Sequence, residues 1–247
     1  MEIAQLTDVG ERRHSNQDQA GVFYNQDDEP ILLLCDGMGG HNAGDVASEM
    51  ALYQVGVAWE KTTHRPLADV KSWLNTTIKA TNQRVLEQSM KYQDLSGMGT
   101  TLVCFVPQGK TGMVAHVGDS RLYQCHEDEM IQLTKDHSYV QELVDSDMIT
   151  QEQARNHPQK NIVTQSIGVT EEVNVSFSTV DITPGDLYIL CSDGLSDMLE
   201  DDEILGVLEN TADLNMAVQE LVDRANQAGG FDNITVLLMR AEGGETE

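Results

Sequence analysis

Strand-end aspartates are the feature of this sequence that could carry chemistry. Asp36 follows the apolar run ILLLC, Asp193 follows LYILCS, Asp119 follows MVAHVG, and Asp232 leads into NITVLLM. Asp18 closes the segment GERRHSNQD. A carboxylate at the end of a buried strand is costly to enclose unless a partner neutralises its charge. Because Lys and Arg are scarce near these positions, the pattern predicts that a metal ion is the partner.

Turn formation is the competing interpretation of the same aspartates. Asp36 and Asp193 each precede a glycine, and Asp-Gly is among the commonest turn dipeptides. A role in turns alone does not explain why a hydrophobic run accompanies the aspartate each time. The joint pattern therefore favours a metal site over a set of independent turns.

The ligand type indicates which metal and which reaction to expect. Sites rich in carboxylate oxygens suit hard octahedral cations such as Mg²⁺ and Mn²⁺. Gly37 has no side chain, so its carbonyl could approach such an ion closely. Two ions that share a carboxylate and a water generate a hydrolytic nucleophile and clamp the oxygens of a displacement at phosphorus. Hydrolysis of phosphate esters is therefore the leading reaction class.

A phosphate substrate also needs a cation that orients it and a proton donor for the leaving oxygen. Arg12 and Arg13 lie within six residues of Asp18, and the planar guanidinium fork matches phosphate oxygens. A surface salt bridge is the alternative role for either arginine. His41, in the glycine-rich turn after Asp36, is a candidate proton donor, and a solvated loop histidine is its alternative.

The elements that must position these residues follow from the apolar patterning. Strands are predicted at 31–35, 100–107, 112–117, 176–181, 186–191 and 234–240. Two helical stretches lie between the early strands, the second with apolar residues at helical spacing from Leu67 to Val85 and an end near Tyr92. A further helix is predicted over 216–228 and ends at a Gly-Gly pair. Because strands come in clusters and helices in pairs, the pattern favours an α+β layered fold over a doubly wound parallel sheet.

Composition narrows the class of partner. The 247 residues contain 15 Lys plus Arg and 41 Asp plus Glu, which gives a formal net charge of −26. Such a balance argues against nucleic acid and against anionic lipid as partners. No run approaches the roughly 18 apolar residues of a membrane span, and the N-terminal residues lack the apolar core of a signal peptide. We therefore expect a soluble cytoplasmic protein.

Several ordered motifs resemble bacterial members of the metal-dependent, protein phosphatase 2C-like family of Ser/Thr phosphatases. They are TDVGERRHSNQD (7–18), LLLCDGMGGHNAGDVAS (32–48), GMGTTL (97–102), HVGDSRLY (116–123), LTKDHSYVQELVDSDMITQEQARNHPQKN (133–161), GDLYILCSDGLSD (185–197) and GGFDNITVLL (229–238). The resemblance implies a four-layer α-β-β-α sandwich of two antiparallel sheets flanked by helices. It also implies a single phosphatase domain over 1–241, with a mobile flap at about 134–161. Residues 242–247 are expected to form a short acidic tail.

The resemblance also implies a set of metal ligands. Asp36 resembles the carboxylate that bridges two metals, with the Gly37 carbonyl on one of them. Asp193 and Asp232 are similar to the other ligands of the first metal. Asp119, together with Asp193, resembles the pair that holds a third, weaker metal in bacterial members. The expected cofactors are therefore two core Mn²⁺ or Mg²⁺ ions and a third one.

Around these ligands, the resemblance assigns further roles and shows two departures. Asp18 is expected in contact with a metal-bound water, and Arg13 matches the family's phosphate-binding arginine, which leaves Arg12 as the salt-bridge candidate. Animal members place a histidine directly after the DG pair, so His41 as the general acid is an analogy. Asp147 stands in the flap where many bacterial members have glycine.

Three functions compete at this point. The leading one is a Mg²⁺/Mn²⁺-dependent phosphatase that acts on phosphoserine and phosphothreonine in proteins and reverses the action of a Ser/Thr kinase. The alternative is a catalytically weak regulatory domain that binds phosphoproteins, for which lost metal ligands would be the sign. A calcium-binding acidic protein is weakly supported, because the chain lacks an EF-hand pattern. Expected partners are phosphorylated proteins and a cognate kinase, and we expect a monomer.

Overall fold

Two antiparallel sheets form the centre of the fold in the computed structural model, which describes residues 1–39, 43–127 and 129–242. One sheet has the strand order β1-β11-β10-β7-β8 and the other has the order β2-β3-β5-β6-β9, with β4 paired to β3. In chain order the strands are β1 (Glu2–Asp8), β2 (Asp18–Tyr24), β3 (Pro30–Met38), β4 (Gly99–Thr100), β5 (Leu102–Gln108), β6 (Thr111–Val117), β7 (Arg121–His126), β8 (Glu129–Gln132), β9 (Ser176–Asp181), β10 (Leu187–Cys191) and β11 (Ile234–Arg240).

Helices cover the outer face of each sheet. They are α1 (Ala43–Glu60), α2 (Leu67–Lys91), α3 (Tyr139–Asp145), α4 (Gln151–Arg155), α5 (Asp193–Ser196), α6 (Asp201–Asn210) and α7 (Leu214–Gln227), with a short 3-10 helix at Gln93–Leu95. Side chains of α1 and α2 pack against the β3 sheet, and side chains of α6 and α7 pack against the β11 sheet. The predicted four-layer sandwich is therefore confirmed. No helix of the described residues combines the length and the apolar character that a bilayer span requires.

Strand β3 shows why the run ILLLC forms the centre of a sheet. Successive side chains of a strand point to opposite faces. Ile31 and Leu33 pack with the α1–α2 layer, whereas Leu32 and Leu34 pack in the cluster between the two sheets. All four are fully buried, and burial of each such side chain contributes about 1.5–3 kcal/mol. A strand buried on both faces therefore appears in the sequence as an uninterrupted apolar run.

Most predicted elements agree with the structure, with specific differences at their ends. The strand predicted at 100–107 is divided into β4 and β5, although both pair with β3 in one continuous register. The division falls at Thr101, where the Asp36 N–H donates to the threonine hydroxyl and not to its backbone carbonyl. Four strands lacked a signal strong enough to predict, namely β1, β2, β7 and β8. Each of these strands mixes polar with apolar side chains, and β1, β2 and β8 lie at sheet edges, where one side of the strand faces solvent.

The C-terminal end of α3 places Asp147 in an unusual backbone conformation. The Asp147 N–H donates to the Val144 carbonyl and the Met148 N–H donates to the Leu143 carbonyl, both at 2.9 Å. This pair of bonds is the Schellman motif, which places its central residue in the left-handed region, and Asp147 has a φ of 55°. Glycine adopts that conformation without the steric penalty of a Cβ atom, so the backbone is strained with an aspartate at this position.

Replacing Asp147 with glycine is expected to stabilise the α3 segment by about 1 kcal/mol, because it removes both the left-handed strain and a negative charge at a helix C-terminus. Hydrogen exchange of the α3 amides, with urea unfolding beside it, measures the effect. Asp147→Asn is the matched control, since it removes the charge but keeps a side chain at the same φ. Equal or lower protection in the glycine variant would contradict the strain argument.

A stacked histidine pair connects β6 to the residues before α3. The rings of His116 and His137 are 4.7 Å apart between centroids. The Gly118 N–H donates to His137 Nδ1 at 3.1 Å, so this nitrogen accepts and must be unprotonated. Burial and the nearby His116 lower the pKa of His137 to about 4, and burial also lowers the pKa of His116. The folded protein therefore favours the neutral form of both imidazoles.

This pair predicts a loss of stability in mild acid. In the unfolded chain a histidine has a pKa of about 6.5, so between about pH 6.5 and 4 the unfolded state binds the extra proton and is favoured. The His137 contribution to the free energy of unfolding is complete above about pH 6.5 and declines by about 1–2 kcal/mol as the pH falls to 4, after a reduction for its partial exposure. Urea unfolding at several pH values measures it, and His137→Gln should flatten the curve. An equally steep curve for that variant would contradict the assignment.

Candidate active site

The predicted aspartates converge at one end of the sandwich, around a pocket of about 350 Å³. Asp36 lies near the end of β3, Asp119 follows β6, Asp193 begins α5 directly after β10, and Asp232 lies just before β11. These four side chains line the pocket. Asp18 begins β2 and pairs in register with Asp36 on β3, so it lies beside the same group. The structure thus brings the five aspartates to one end of the sandwich.

Asp18 is held from the opposite sheet. Its Oδ2 atom accepts hydrogen bonds from the Ser192 and Thr235 hydroxyls, both at 2.7 Å, whereas its Oδ1 atom is buried and accepts none. Burial raises the pKa of Asp18 to about 6, although the two hydroxyl donors lower it and the charge of Asp232 adds to the rise. The side chain is therefore a fixed acceptor with one oxygen unused.

Burial and repulsion between acidic side chains raise the pKa of three carboxylates in the pocket. Burial first, and then the charges of neighbouring aspartates, raise the pKa of Asp36 and the pKa of Asp193 well above the ordinary range. Burial raises the pKa of Asp119 to about 7, with a further contribution from Asp136. Several like charges in one enclosed site favour either protonation or a bound cation.

The backbone at Asp36 is fixed by the short strand β4 and by α1. The Asp36 N–H donates to the Thr101 hydroxyl, and the Asp36 carbonyl accepts from the Thr101 N–H and the Thr100 hydroxyl, all at 2.9 Å. A Cβ atom on Gly37 would lie 2.1 Å from the Gly44 carbonyl oxygen in α1. Glycine is required at this position because the helix approaches the strand too closely for any side chain.

Arg13 lies at the pocket, where the sequence analysis expected it, but Arg12 does not make the salt bridge expected of it. Arg13 makes the salt bridge, with its Nη2 atom 2.6 Å from Asp232 Oδ2. Arg12 lies over the Phe231 ring, 5.8 Å from its centroid, and makes no ion pair with the described residues. The expectation that Arg12 is the salt-bridge residue is therefore wrong. The loop that carries both arginines causes this difference between them. The Glu11 and Arg12 N–H groups both donate to the Gly230 carbonyl, at 2.9 and 3.1 Å, and the next residue, Arg13, then lies beside Asp232.

Three polar residues that support the site were not singled out from the sequence. Ser192 and Thr235 hold Asp18, and the Asn233 side chain accepts from the Gln17 N–H while donating to two loop carbonyls. All three are buried. The signal that could have found Thr235 and Ser192 is a polar residue inside or directly after an apolar strand, because such a side chain needs a buried partner.

The donor chemistry of the pocket fits a divalent cation. All the candidate ligands are oxygen atoms, and the buried Oδ1 atoms of Asp18 and Asp193 lack a hydrogen-bond partner. Among the described residues, no three acidic, His or Cys side chains already stand close enough together to hold one ion. An ion here would therefore be held by one or two of these carboxylates, with a backbone carbonyl or water at its other positions, as is usual for Mg²⁺. His41 lies outside the described residues.

The chain was compared with known proteins. The profile of the family described as Protein phosphatase 2C matches residues 11–238. The serine/threonine phosphatase stp of Listeria innocua is 44% identical over 234 residues, which cover 94% of this chain and 93% of the relative. The protein phosphatase PhpP of Streptococcus pneumoniae is 43% identical over 97% of both chains. The crystal structure of serine/threonine phosphatase Stp1 from Staphylococcus aureus matches with a TM-score of 0.95 at 36% identity, over 98% of this chain and 95% of that one.

These similarities bear directly on the resemblance found in the sequence. The profile spans all five aspartates and the residues that support them, from Glu11 to Leu238. The relatives match over nearly their whole lengths, so the similarity is not confined to one motif. The predicted family, enzyme class and fold are confirmed. The chain therefore belongs to the protein phosphatase 2C family, which is a family of serine/threonine protein phosphatases.

Proposed function

We propose that this protein is a Mg²⁺- or Mn²⁺-dependent phosphatase that hydrolyses phosphoserine and phosphothreonine in proteins. The observation that carries the proposal is the group of buried, mutually repelling carboxylates with unpaired oxygens in one pocket. Two core ions would be held by Asp36, the Gly37 carbonyl, Asp193 and Asp232, and Asp119 with Asp193 would hold a third. When bound, such ions supply a nucleophile at neutral pH and neutralise the charge of the phosphate.

The chain's own residues would orient the substrate and the water. Arg13 reaches the rim of the pocket and presents a planar fork suited to phosphate oxygens. The Oδ1 atom of Asp18, which is buried and lacks a hydrogen-bond partner, would accept a hydrogen bond from a water in the site. Hydrolysis forms a bond from the water oxygen to phosphorus and breaks the ester bond, so the departing Ser or Thr oxygen must gain a proton. His41 stays a candidate donor, for which His41→Ala kinetics would show a loss of about 100-fold or more.

The wider assignments are part of the same proposal. The substrates would be phosphorylated proteins, an opposing Ser/Thr kinase would be the functional partner, and the protein would act as a monomer in the cytoplasm. We also propose that residues 1–241 form one catalytic domain and that residues 134–161, which contain α3 and α4, act as a flap. In support, the segment reaches the candidate active site, because Asn161 lines the same pocket as the aspartates. The phosphoprotein-binding alternative has no specific support, because every expected acidic ligand is present.

Phosphate release from a phosphothreonine peptide tests the proposal. The wild type should be active with Mn²⁺ and inactive in EDTA, and Asp193→Asn should lose about 1,000-fold or more because a ligand is removed. The matched control is Asp223→Asn, the same change on the exposed side of α7. If the folded wild type with Mn²⁺ releases no more phosphate than Asp193→Asn, the hydrolase assignment is wrong and the binding alternative takes its place.

A further inference from the structure

A contact between Arg13 and Asp232 joins a candidate phosphate ligand to a candidate metal ligand in the pocket. Arg13 Nη2 donates to Asp232 Oδ2 at 2.6 Å, and its Nε atom donates to the Phe231 carbonyl at 3.3 Å. Asp232 Oδ1 accepts from the Asn233 N–H at 2.8 Å. Both oxygens of this carboxylate are therefore already occupied by donors of the chain.

This contact sets Asp232 apart from the other aspartates of the pocket. Asp36 and Asp193 have no ion-pair partner among the described residues, whereas Asp232 has the arginine. A cation on Asp232 Oδ2 would repel the guanidinium that donates to the same oxygen, because the two positive groups would lie only a few ångströms apart. The guanidinium is half-exposed, so it can leave Asp232 without breaking a packed core.

We propose that Arg13 exchanges between two anions, the Asp232 carboxylate when the site holds no ion and the substrate phosphate when Asp232 is taken by the metal. This inference rests on the proposed function and adds to it a link between metal binding and phosphate binding. Arg13 competes with the metal for Asp232 in the absence of phosphate. A bound phosphate removes that competition, because it offers the guanidinium another anion with matching geometry.

The exchange has a thermodynamic consequence in both directions. If phosphate draws Arg13 away from Asp232, phosphate binding must tighten metal binding, and metal binding must tighten phosphate binding by the same factor. Part of this coupling is direct attraction between the ions and phosphate, and that part does not depend on Arg13. The part that belongs to Arg13 is the difference between the wild type and a variant without the guanidinium.

Mn²⁺ binding to the purified protein, followed by calorimetry with and without inorganic phosphate, tests the exchange. Without phosphate, Arg13→Gln should bind Mn²⁺ about five- to tenfold more tightly than the wild type. Phosphate should tighten Mn²⁺ binding more in the wild type than in Arg13→Gln. Arg12→Gln is the matched control, because it removes the neighbouring positive charge without touching Asp232, and it should change Mn²⁺ affinity less than about twofold.

A second variant separates charge from geometry. Arg13→Lys keeps the charge but loses the fork that reaches both Asp232 and the Phe231 carbonyl, so its Mn²⁺ affinity should lie between those of the wild type and Arg13→Gln. Equal or weaker Mn²⁺ binding by Arg13→Gln would overturn the exchange and make Arg13 a residue that only orients Asp232. If that result comes with Mn²⁺-dependent phosphatase activity in the wild type, the proposed function stands and only the exchange fails. If neither protein binds Mn²⁺, both fail.

Discussion

Replacement of Asp36 by asparagine is expected to abolish phosphatase activity while raising the melting temperature of the metal-free protein. Activity should fall by about 1,000-fold or more, because the residue that would bridge two ions loses its charge. Without metal, the same change removes one buried carboxylate from a group whose mutual repulsion raises the pKa of Asp36 well above its ordinary value. We expect a gain of about 1–3 kcal/mol, because a buried charge without a partner is replaced by a neutral group of the same shape.

Two measurements check this pair of opposite effects. Phosphate release from a phosphothreonine peptide gives the activity, and thermal unfolding in EDTA and in Mn²⁺ gives the stability. Mn²⁺ should raise the melting temperature of the wild type more than that of Asp36→Asn, since an ion that binds only the folded state stabilises it. Asp223→Asn should change neither quantity. A variant that melts lower than the wild type in EDTA would contradict the account of repulsion in the pocket.

The second large effect is expected at Gly37, where alanine should destabilise the protein by about 3 kcal/mol. The added Cβ atom would lie 2.1 Å from the Gly44 carbonyl oxygen and 2.6 Å from the Gln17 carbonyl oxygen. Both neighbours are backbone atoms, so β3 and the start of α1 would have to separate. Asp36 precedes this position, so the same movement should also weaken Mn²⁺ binding.

Urea unfolding measures the change in the free energy of unfolding, with Gly206→Ala as the matched control. Gly206 lies within α6, and a Cβ atom there would meet no atom within 4 Å. Alanine at this helical position should stabilise the protein by about 0.5–1 kcal/mol, because it restricts the unfolded chain. An unfolding free energy of Gly37→Ala equal to that of the wild type would show that the approach of α1 to β3 does not limit this position.

The candidate site was largely predictable because its aspartates stand beside apolar runs. A strand buried on both faces, such as β3, leaves a continuous hydrophobic signal, and the residue at its end is found by position alone. The edge strands β1 and β2 lack this signal because one side of each strand faces solvent, so their residues mix polar and apolar types. Their place in the sheets depends on partners far along the chain, as when β1 pairs with β11.

The residues that hydrogen-bond to the candidate ligands were harder to predict than the ligands themselves. Asp18 was predicted from its segment, but its two hydroxyl donors, Ser192 and Thr235, lie 174 and 217 residues away in the sequence. Only the packing of the two sheets brings these side chains together. A hydroxyl in a buried strand therefore predicts that a hydrogen-bond partner exists, but it does not identify that partner.

The sequence alone indicated the layered α+β fold through its apolar patterning, because burial is a local property of the chain, and the family through its ordered motifs. It also singled out the five candidate aspartates by their places beside apolar runs and in the segment GERRHSNQD. The tertiary structure decided which contacts the two adjacent arginines make, beyond the assignment of Arg13 to phosphate binding that the family resemblance implied. Arg12 and Arg13 are chemically identical, and only the anchoring of their loop on the Gly230 carbonyl directs Arg13 to Asp232 and leaves Arg12 over Phe231. A contact between residues 219 positions apart depends on how the sheets bring the chain's two ends together, and no local pattern records it.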